Sequence, residues 1–367
     1  MKILVIGAGR TGRAIGRTLA GDGNFSVTLV DSNRQATDLA RRGGLAIREA
    51  DAACIEDVAK IARGFDTLIC AAPNYLAPGL STVAADGGLH YLDLGEDQDV
   101  AAKVKKVAKG AKGKFLTGCG LAPGFVANLV ADLVADAQPP IDVTVRVGTL
   151  PVNTSNRLGY GLTWNVDGLI HEYSSPCEAV REGQPAVLVP LEGYEHFVLS
   201  GSQYEAFNTA GGLGDLCTYL AGKVDRLSFK TVRYRGHCDL MKFLLDDMGL
   251  GRRKDLLRAV LSNGIPAIDQ DKVIVYVTVL SQRGYSRHET SHIQTIHGIE
   301  TQKGERASAM QSASAAHVCA MADLIRQDVI GGGGSQGVGS VTLAQLARSP
   351  FAATLLAGTL VNQPTSC

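Results

Sequence analysis

The chain has 367 residues, more than one hydrophobic core usually organises, so two lobes are expected. Lys plus Arg and Asp plus Glu each total 36, which leaves no broad electrostatic field to hold nucleic acid or anionic lipid. Hydrophobic residues make up 45%, yet no apolar run approaches the roughly 20 residues that a membrane-spanning helix needs, and neither nucleic acid nor membrane is expected as a partner. Met1 to Ile6 runs straight into a strand and a glycine turn, with no room for a cleavable leader, and a cytoplasmic location is expected. Eight cysteines scattered from Cys54 to Cys367 contain no CxxC pair, which fits reduced thiols packed in the core and no metal site.

Over the first 120 residues short apolar runs alternate with helical patterns, as in a doubly wound α/β Rossmann domain with a parallel sheet. The strands are read at Lys2 to Ile6, Ser26 to Val30, Leu45 to Ile47, Thr67 to Cys70, Leu89 to Leu92 and Lys114 to Thr117. Between the first strand and its helix lies Gly7-Ala8-Gly9-Arg10-Thr11-Gly12, in the one context where a GxGxxG has mechanical meaning. Gly7 permits the tight turn, Gly9 lets backbone approach a pyrophosphate, and Gly12 brings the helix against the strand. Arg10 and Thr11 open that helix, whose N-terminal N–H groups meet the diphosphate charge. Asp31 ends the second strand nineteen residues after Gly12, where a carboxylate accepts from the ribose hydroxyls and repels a 2′-phosphate. The cofactor is therefore read as NAD, with Arg34 the argument for NADP.

At the end of the fourth strand, Ala71-Ala72-Pro73 are small enough to let the nicotinamide half pass. Asp93 ends the fifth strand and either points into the same crevice or caps the helix after Glu96. Cys119 follows the sixth. The Gly/Pro-rich stretch Thr117 to Gly124 ends the sheet and opens the crossing to a mixed α+β domain over 121–304, after a helix from Phe125 to Ala135. There Val143, Val145 and Val147 alternate with polar residues as a strand. Further strands are read at Ala186 to Val189, Phe229 to Tyr234, Val273 to Leu280 and Ile293 to Ile299, and helices at Cys238 to Met248 and Arg253 to Leu261. His288 and His292 fall in the connection between two strands, a poor place for a metal. A last apolar helix spans Met310 to Ile325, the glycines 331–334 read as a flexible connector, and residues 305–367 are expected to pack back on the first domain.

These features resemble the saccharopine dehydrogenase family and, within it, the lysine 6-dehydrogenase branch. The likeness is carried by Gly7 to Gly12, Cys119-Gly120-Leu121-Ala122-Pro123-Gly124, Leu162 to Ile170, Glu205-Ala206-Phe207 with Gly211-Gly212-Leu213, and Thr231 to His237. It implies a substrate and dimerisation domain beside the Rossmann domain, and a homodimer. It also implies NAD(P)-linked oxidation of a C–N bond in a lysine-like amino acid, with Asp93 and Cys119 lining the substrate site. Ala122 stands where the saccharopine reductases carry Asp, which leans toward the lysine 6-dehydrogenase branch, while Arg235 in place of a Pro and Gly337-Val338-Gly339 without a Pro-Pro-Glu leave saccharopine or a carboxyalkyl polyamine open as substrate. A non-catalytic NAD(H)-sensing subunit is the reading from another class.

Such chemistry asks for a carboxylate anchor, a proton acceptor and a dry hydride path. Arg233, on a strand that runs into Gly236 and His237 at a helix start, either anchors an α-carboxylate or pairs with an acid. His237 there is expected neutral, as general base or as a core histidine. Trp164 either walls the site or packs in the core.

Overall fold

The computed structural model describes residues 1–300, 306–337 and 339–364, so the Val338 departure and Cys367 lie outside the described residues. The chain divides into two compact units, Met1–Asp132 with Gln311–Leu356, and Leu133–Met310 with the segment that begins at Ala357. The crossing expected near residue 121 thus lies inside a helix, and residues from Ala357 rejoin the second unit instead of the first.

In the first unit the order is β1 (Lys2–Ile6), α1 (Arg10–Ala20), β2 (Ser26–Asp31), α2 (Arg34–Arg42), β3 (Ala46–Glu49), α3 (Ile55–Ala62) and β4 (Thr67–Cys70). Then come α4 (Ala77–Gly87), β5 (His90–Asp93), α5 (Gln98–Ala108), β6 (Lys114–Leu116) and α6 (Val126–Ala135), which carries the chain across the boundary. The strands lie parallel in the order β6-β5-β4-β1-β2-β3. The order reverses between β1 and β4, and ligands of such sheets sit outside the strand ends at that reversal. Helices cover both faces, so the inner strands are aliphatic without alternation; Ile3, Leu4, Val5 and Ile6 are all buried. Tyr91 and Phe115 stack 5.6 Å apart within this core.

The second unit follows as β7 (Gln138–Pro151), α7 (Val166–Ser174), β8 (Cys177–Arg181), β9 (Gln184–Leu188), β10 (Glu195–Leu199), β11 (Ser202–Asn208), α8 (Leu216–Leu220) and β12 (Arg226–Tyr234). It continues through α9 (His237–Lys242), α10 (Lys254–Gly264), β13 (Asp271–Arg283), β14 (Ser286–His297) and the short pair β15 (Ile299–Glu300) and β16 (Arg306–Ala307). α11 (Ala309–Arg326) returns the chain to the first unit, where β17 (Gly334–Ser335) and α12 (Leu343–Leu346) lie, and β18 (Thr359–Pro364) ends the second. The second unit's mixed sheet runs β10-β11-β12-β7-β13-β14-β18, with β8 and β9 appended to β12. One face of it packs α7, α9 and α10 through Leu169, Tyr173, Phe207, Met241, Leu257 and Leu261.

Three local expectations are corrected. The glycines 331–334 are not merely a connector: Gly334 and Ser335 pair in parallel with Lys114 and Phe115, adding a seventh strand where the Gly/Pro stretch was expected to end the sheet. A Cβ at Gly333 would press on the backbone of Ala111 and Lys112, so the run is a close-approach surface. His288 and His292 lie inside β14, opposite Ser281 and Val277, because the hairpin reverses tightly before them, at Gly284 with its φ of +60°. The helix read from Cys238 to Met248 is interrupted: after Lys242 the backbone widens into a π-turn, and Met248 N–H donates to the Phe243 carbonyl at 2.9 Å.

Candidate functional site

At the end of β1, Gly7 turns with a φ of +104°, and a Cβ there would lie 2.6 Å from the Ala71 carbonyl oxygen. A Cβ at Gly12 would run into the Gly7 carbonyl, so both positions exclude side chains for reasons internal to the fold. Gly9 differs, since a Cβ added there meets nothing within 4 Å. Gly9 is also the N-cap of α1, with no side-chain cap bond and no acidic residue in the first turn. The protein's own packing therefore asks nothing of Gly9, while the helix N-terminus faces open space with a partial positive charge. A dinucleotide pyrophosphate fits that cradle. Arg10 is exposed and Thr11 half-buried at its edge.

Asp31 is held at the end of β2 by two backbone donors, Ala8 N–H to Oδ2 at 2.7 Å and Asn33 N–H to Oδ1 at 2.8 Å. Asn33 in turn caps α2, accepting from Ala36 N–H at 3.0 Å. The carboxylate is thus fixed beside the glycine turn, with lone pairs left for ribose hydroxyls. Across the sheet reversal, Ala71 and Ala72 are half-buried and Pro73 is exposed after β4.

Asp93, at the end of β5, is buried, and its Oδ1 accepts from Gly118 N–H at 2.9 Å and Gly95 N–H at 3.1 Å. It joins the loops after β5 and β6 and does not cap α5, a task that falls to Asp97. Burial raises its pKa to about 6, against the opposing pull of those two N–H donors. Cys119 is buried next to it, its N–H donating to the Asp93 carbonyl at 2.6 Å. Burial, and then the Asp93 carboxylate, push the Cys119 thiol well above its ordinary range, so it is a neutral thiol and not a nucleophile. The Cys119 carbonyl lies 3.0 Å from Nδ1 of His317 on α11. Sequence reasoning missed His317; its one signal was a lone histidine among the small and apolar residues of that helix.

In the second unit Arg233 is buried and fully engaged. Its Nη2 pairs with Glu172 at 3.2 Å, Nε donates to the Tyr173 hydroxyl at 2.7 Å, and Nη1 donates to the Val232 carbonyl at 3.0 Å. The guanidinium also lies over the Tyr160 ring at 4.8 Å. His237 donates from Nδ1 to the Leu158 carbonyl at 2.8 Å, and its Nε2 accepts from the Tyr173 hydroxyl at 2.9 Å. Burial, and then the Arg233 cation, lower its pKa to about 3; the ring is neutral as expected, but for reasons other than a helix N-terminus.

The anion site expected at the start of α9 is already filled. Glu205 of β11 takes Gly236 N–H and Cys238 N–H at 2.6 Å each, and accepts from the Tyr194 hydroxyl at 2.7 Å. Trp164 is half-buried in the core cluster and donates to the Tyr160 hydroxyl at 3.2 Å. Arg233, His237 and Trp164 are therefore brought together, around Tyr160 and Tyr173, as one saturated network. Glu172, which pairs with Arg233, and Glu205, which takes N–H groups at the start of α9, were not assigned those roles from the sequence. The available signal was an acid on a buried position of an otherwise apolar face, as Glu172 is beside Leu169, Ile170 and Tyr173.

Among the described residues no cluster of His, Cys, Asp and Glu is arranged to hold a metal ion, and no helix is long and apolar enough to cross a membrane.

The fold is similar to that of a solved apo saccharopine dehydrogenase (L-Glu forming) from Saccharomyces cerevisiae, with a TM-score of 0.81, 14% identity and 100% of each chain covered. A myo-inositol 2-dehydrogenase from Lactobacillus plantarum aligns with a TM-score of 0.44 and 13% identity over 94% of this chain and 93% of that one. The saccharopine dehydrogenase NADP binding domain matches residues 3–115, and the saccharopine dehydrogenase C-terminal domain matches residues 120–355. The open cradle at Gly9, the acid closing β2 and matches over nearly the whole chain lead to one conclusion: the protein is an oxidoreductase of the saccharopine dehydrogenase family with an NAD(P)-binding domain.

Proposed function

We propose that the chain is an NAD-dependent dehydrogenase that oxidises the ε-C–N bond of a lysine-like amino acid, with L-lysine the first substrate to test. The observation that carries the reading is the uncapped N-terminus of α1 beside the fixed Asp31, within a chain of this family. Asp31 favours NAD, because a 2′-phosphate would meet a carboxylate that two backbone donors keep in place. Gly7, Gly9, Arg10, Thr11, Gly12 and Asp31 would hold the diphosphate and ribose, and Ala71, Ala72 and Pro73 would leave room for the nicotinamide half.

A bound dinucleotide would supply the hydride acceptor for the carbon next to the amine. Asp93 suits the task of taking a proton from the substrate ammonium: its pKa of about 6 makes it mostly ionised at neutral pH yet basic enough to hold a proton briefly. His237 is a weaker base, with both ring nitrogens engaged. It acts by orienting Tyr173 and, through it, Arg233. The overall balance turns the ammonium substrate, NAD⁺ and water into aldehyde, ammonium ion, NADH and one proton.

Absorbance at the NADH band with NAD and L-lysine tests this, with saccharopine and a carboxyalkyl polyamine as parallel arms and NADP in place of NAD. Turnover with lysine is expected. Turnover with saccharopine alone would move the substrate within the family, and NADH binding without turnover on any amine would leave an NAD(H)-sensing subunit. We also propose a homodimer, for which light scattering should give a mass near twice the chain's 38.5 kDa.

A further inference from the structure

We infer that His317 is a positioning residue for the nicotinamide half of the cofactor, an inference that rests on the dehydrogenase reading above. Its ring, on α11, is buried within the first unit and bridges two segments: Nδ1 is 3.0 Å from the Cys119 carbonyl oxygen, and Nε2 is 3.0 Å from Oδ1 of Asn128. Asn128 is itself oriented by donating from Nδ2 to the Val341 carbonyl at 2.9 Å. The turn after β6 is thus fixed from two sides. On one, Asp93 accepts from Gly118 N–H at 2.9 Å and the Asp93 carbonyl accepts from Cys119 N–H at 2.6 Å; on the other, His317 Nδ1–H donates to the Cys119 carbonyl.

Packing makes the same point. A Cβ at Gly124, whose φ is +116°, would lie 2.9 Å from His317 Nδ1 and 2.7 Å from the Gly118 oxygen. The glycines at 118 and 124 therefore fold the loop down onto the imidazole. The Nδ1–H tautomer donates to the buried Cys119 carbonyl, and such a bond is costly to lose once it is made away from water. The turn so held stands at the C-terminal ends of β5 and β6, on the nicotinamide side of the sheet reversal. His317 reaches the cofactor only through Cys119.

The experiment compares His317→Gln, which keeps a group near Asn128 but withdraws the donor from Cys119, with His317→Asn, which keeps a donor at the Nδ1 position. ADP-ribose affinity reads the α1 and Asp31 end alone, and the emission of bound NADH reads how firmly the nicotinamide is held. In His317→Gln the NADH emission enhancement is expected to fall by at least half and the Kd for NADH to rise about tenfold, with the ADP-ribose Kd within twofold of wild type. His317→Asn should restore both NADH readouts. Loss of ADP-ribose binding in parallel would make His317 a purely structural residue, and NADH emission unchanged in His317→Gln would overturn the proposal outright. Wild-type protein that binds no NADH would instead sink the dehydrogenase reading, and this inference with it.

Discussion

Asp93 carries two opposed demands. Burial raises its folded pKa to about 6 from an ordinary 3.8, so the fold prefers it protonated, and that preference is lost as pH rises through 6. Asp93→Asn should therefore raise stability at pH 7–8 by about 1–3 kcal/mol, while lowering turnover at least tenfold and leaving NADH affinity intact. Urea denaturation and steady-state rates on the same preparation check both. His237 has the other sign. Its folded pKa of about 3 lies below the ordinary 6.5, so its contribution is complete above pH 6.5 and is lost as pH falls from there toward 3. Chemical denaturation across pH 4 to 7 should show an acid decline that flattens in His237→Gln.

Arg233 and Glu172 form a buried pair, and removing one partner strands the other's charge. Glu172→Gln should cost about 3–5 kcal/mol, seen as a lower denaturation midpoint, more than Arg233 and Glu172 would cost replaced together by apolar residues. Of these residues, Asp93 and Cys119 were legible because each follows a strand, and strand ends can be read locally. His317 was not. Its partner Cys119 is 198 residues away, and a pattern within one helix holds no trace of it. Arg233 and His237 were legible as residues but not in role, since Glu172, some 61 residues distant, pairs with the guanidinium, and Glu205, some 33 from Cys238, takes the Gly236 and Cys238 N–H groups at the start of α9.

At the scale of elements, the strand, glycine turn and helix from β1 to α1 were the most legible part, because the turn's demands are met by residues adjacent in sequence. The three glycines nevertheless do different work, and substitution separates them. Gly12→Ala drives a methyl into the Gly7 carbonyl and should destabilise the first unit by several kcal/mol, read as a fall in thermal midpoint. Gly9→Ala meets open space at a φ of −60°, so the midpoint should stay within a few degrees while NADH affinity falls at least tenfold. The second unit's β8, β10 and β11 were less legible. They are short, and in β11 the alternation is lost where Glu205 is buried to serve α9. The same limit applied to β17, two residues long and recognisable as a strand only because Lys114 and Phe115 lie alongside.

For the whole molecule, composition and alternation indicated two α/β and α+β units, but not where the chain changes from one to the other. The first two of its three changes fall within α6 and α11, where apolar periodicity continues without a break, so no composition shift marks them. The central claim is that a dinucleotide sits on the N-terminus of α1 with its ribose held by Asp31. Isothermal titration calorimetry of NADH into the wild-type chain and into Gly9→Ala tests it most directly. One-site binding in the wild type, weakened at least tenfold in an equally stable Gly9→Ala, is the predicted result; no heat in the wild type, or the same affinity in both, would contradict it.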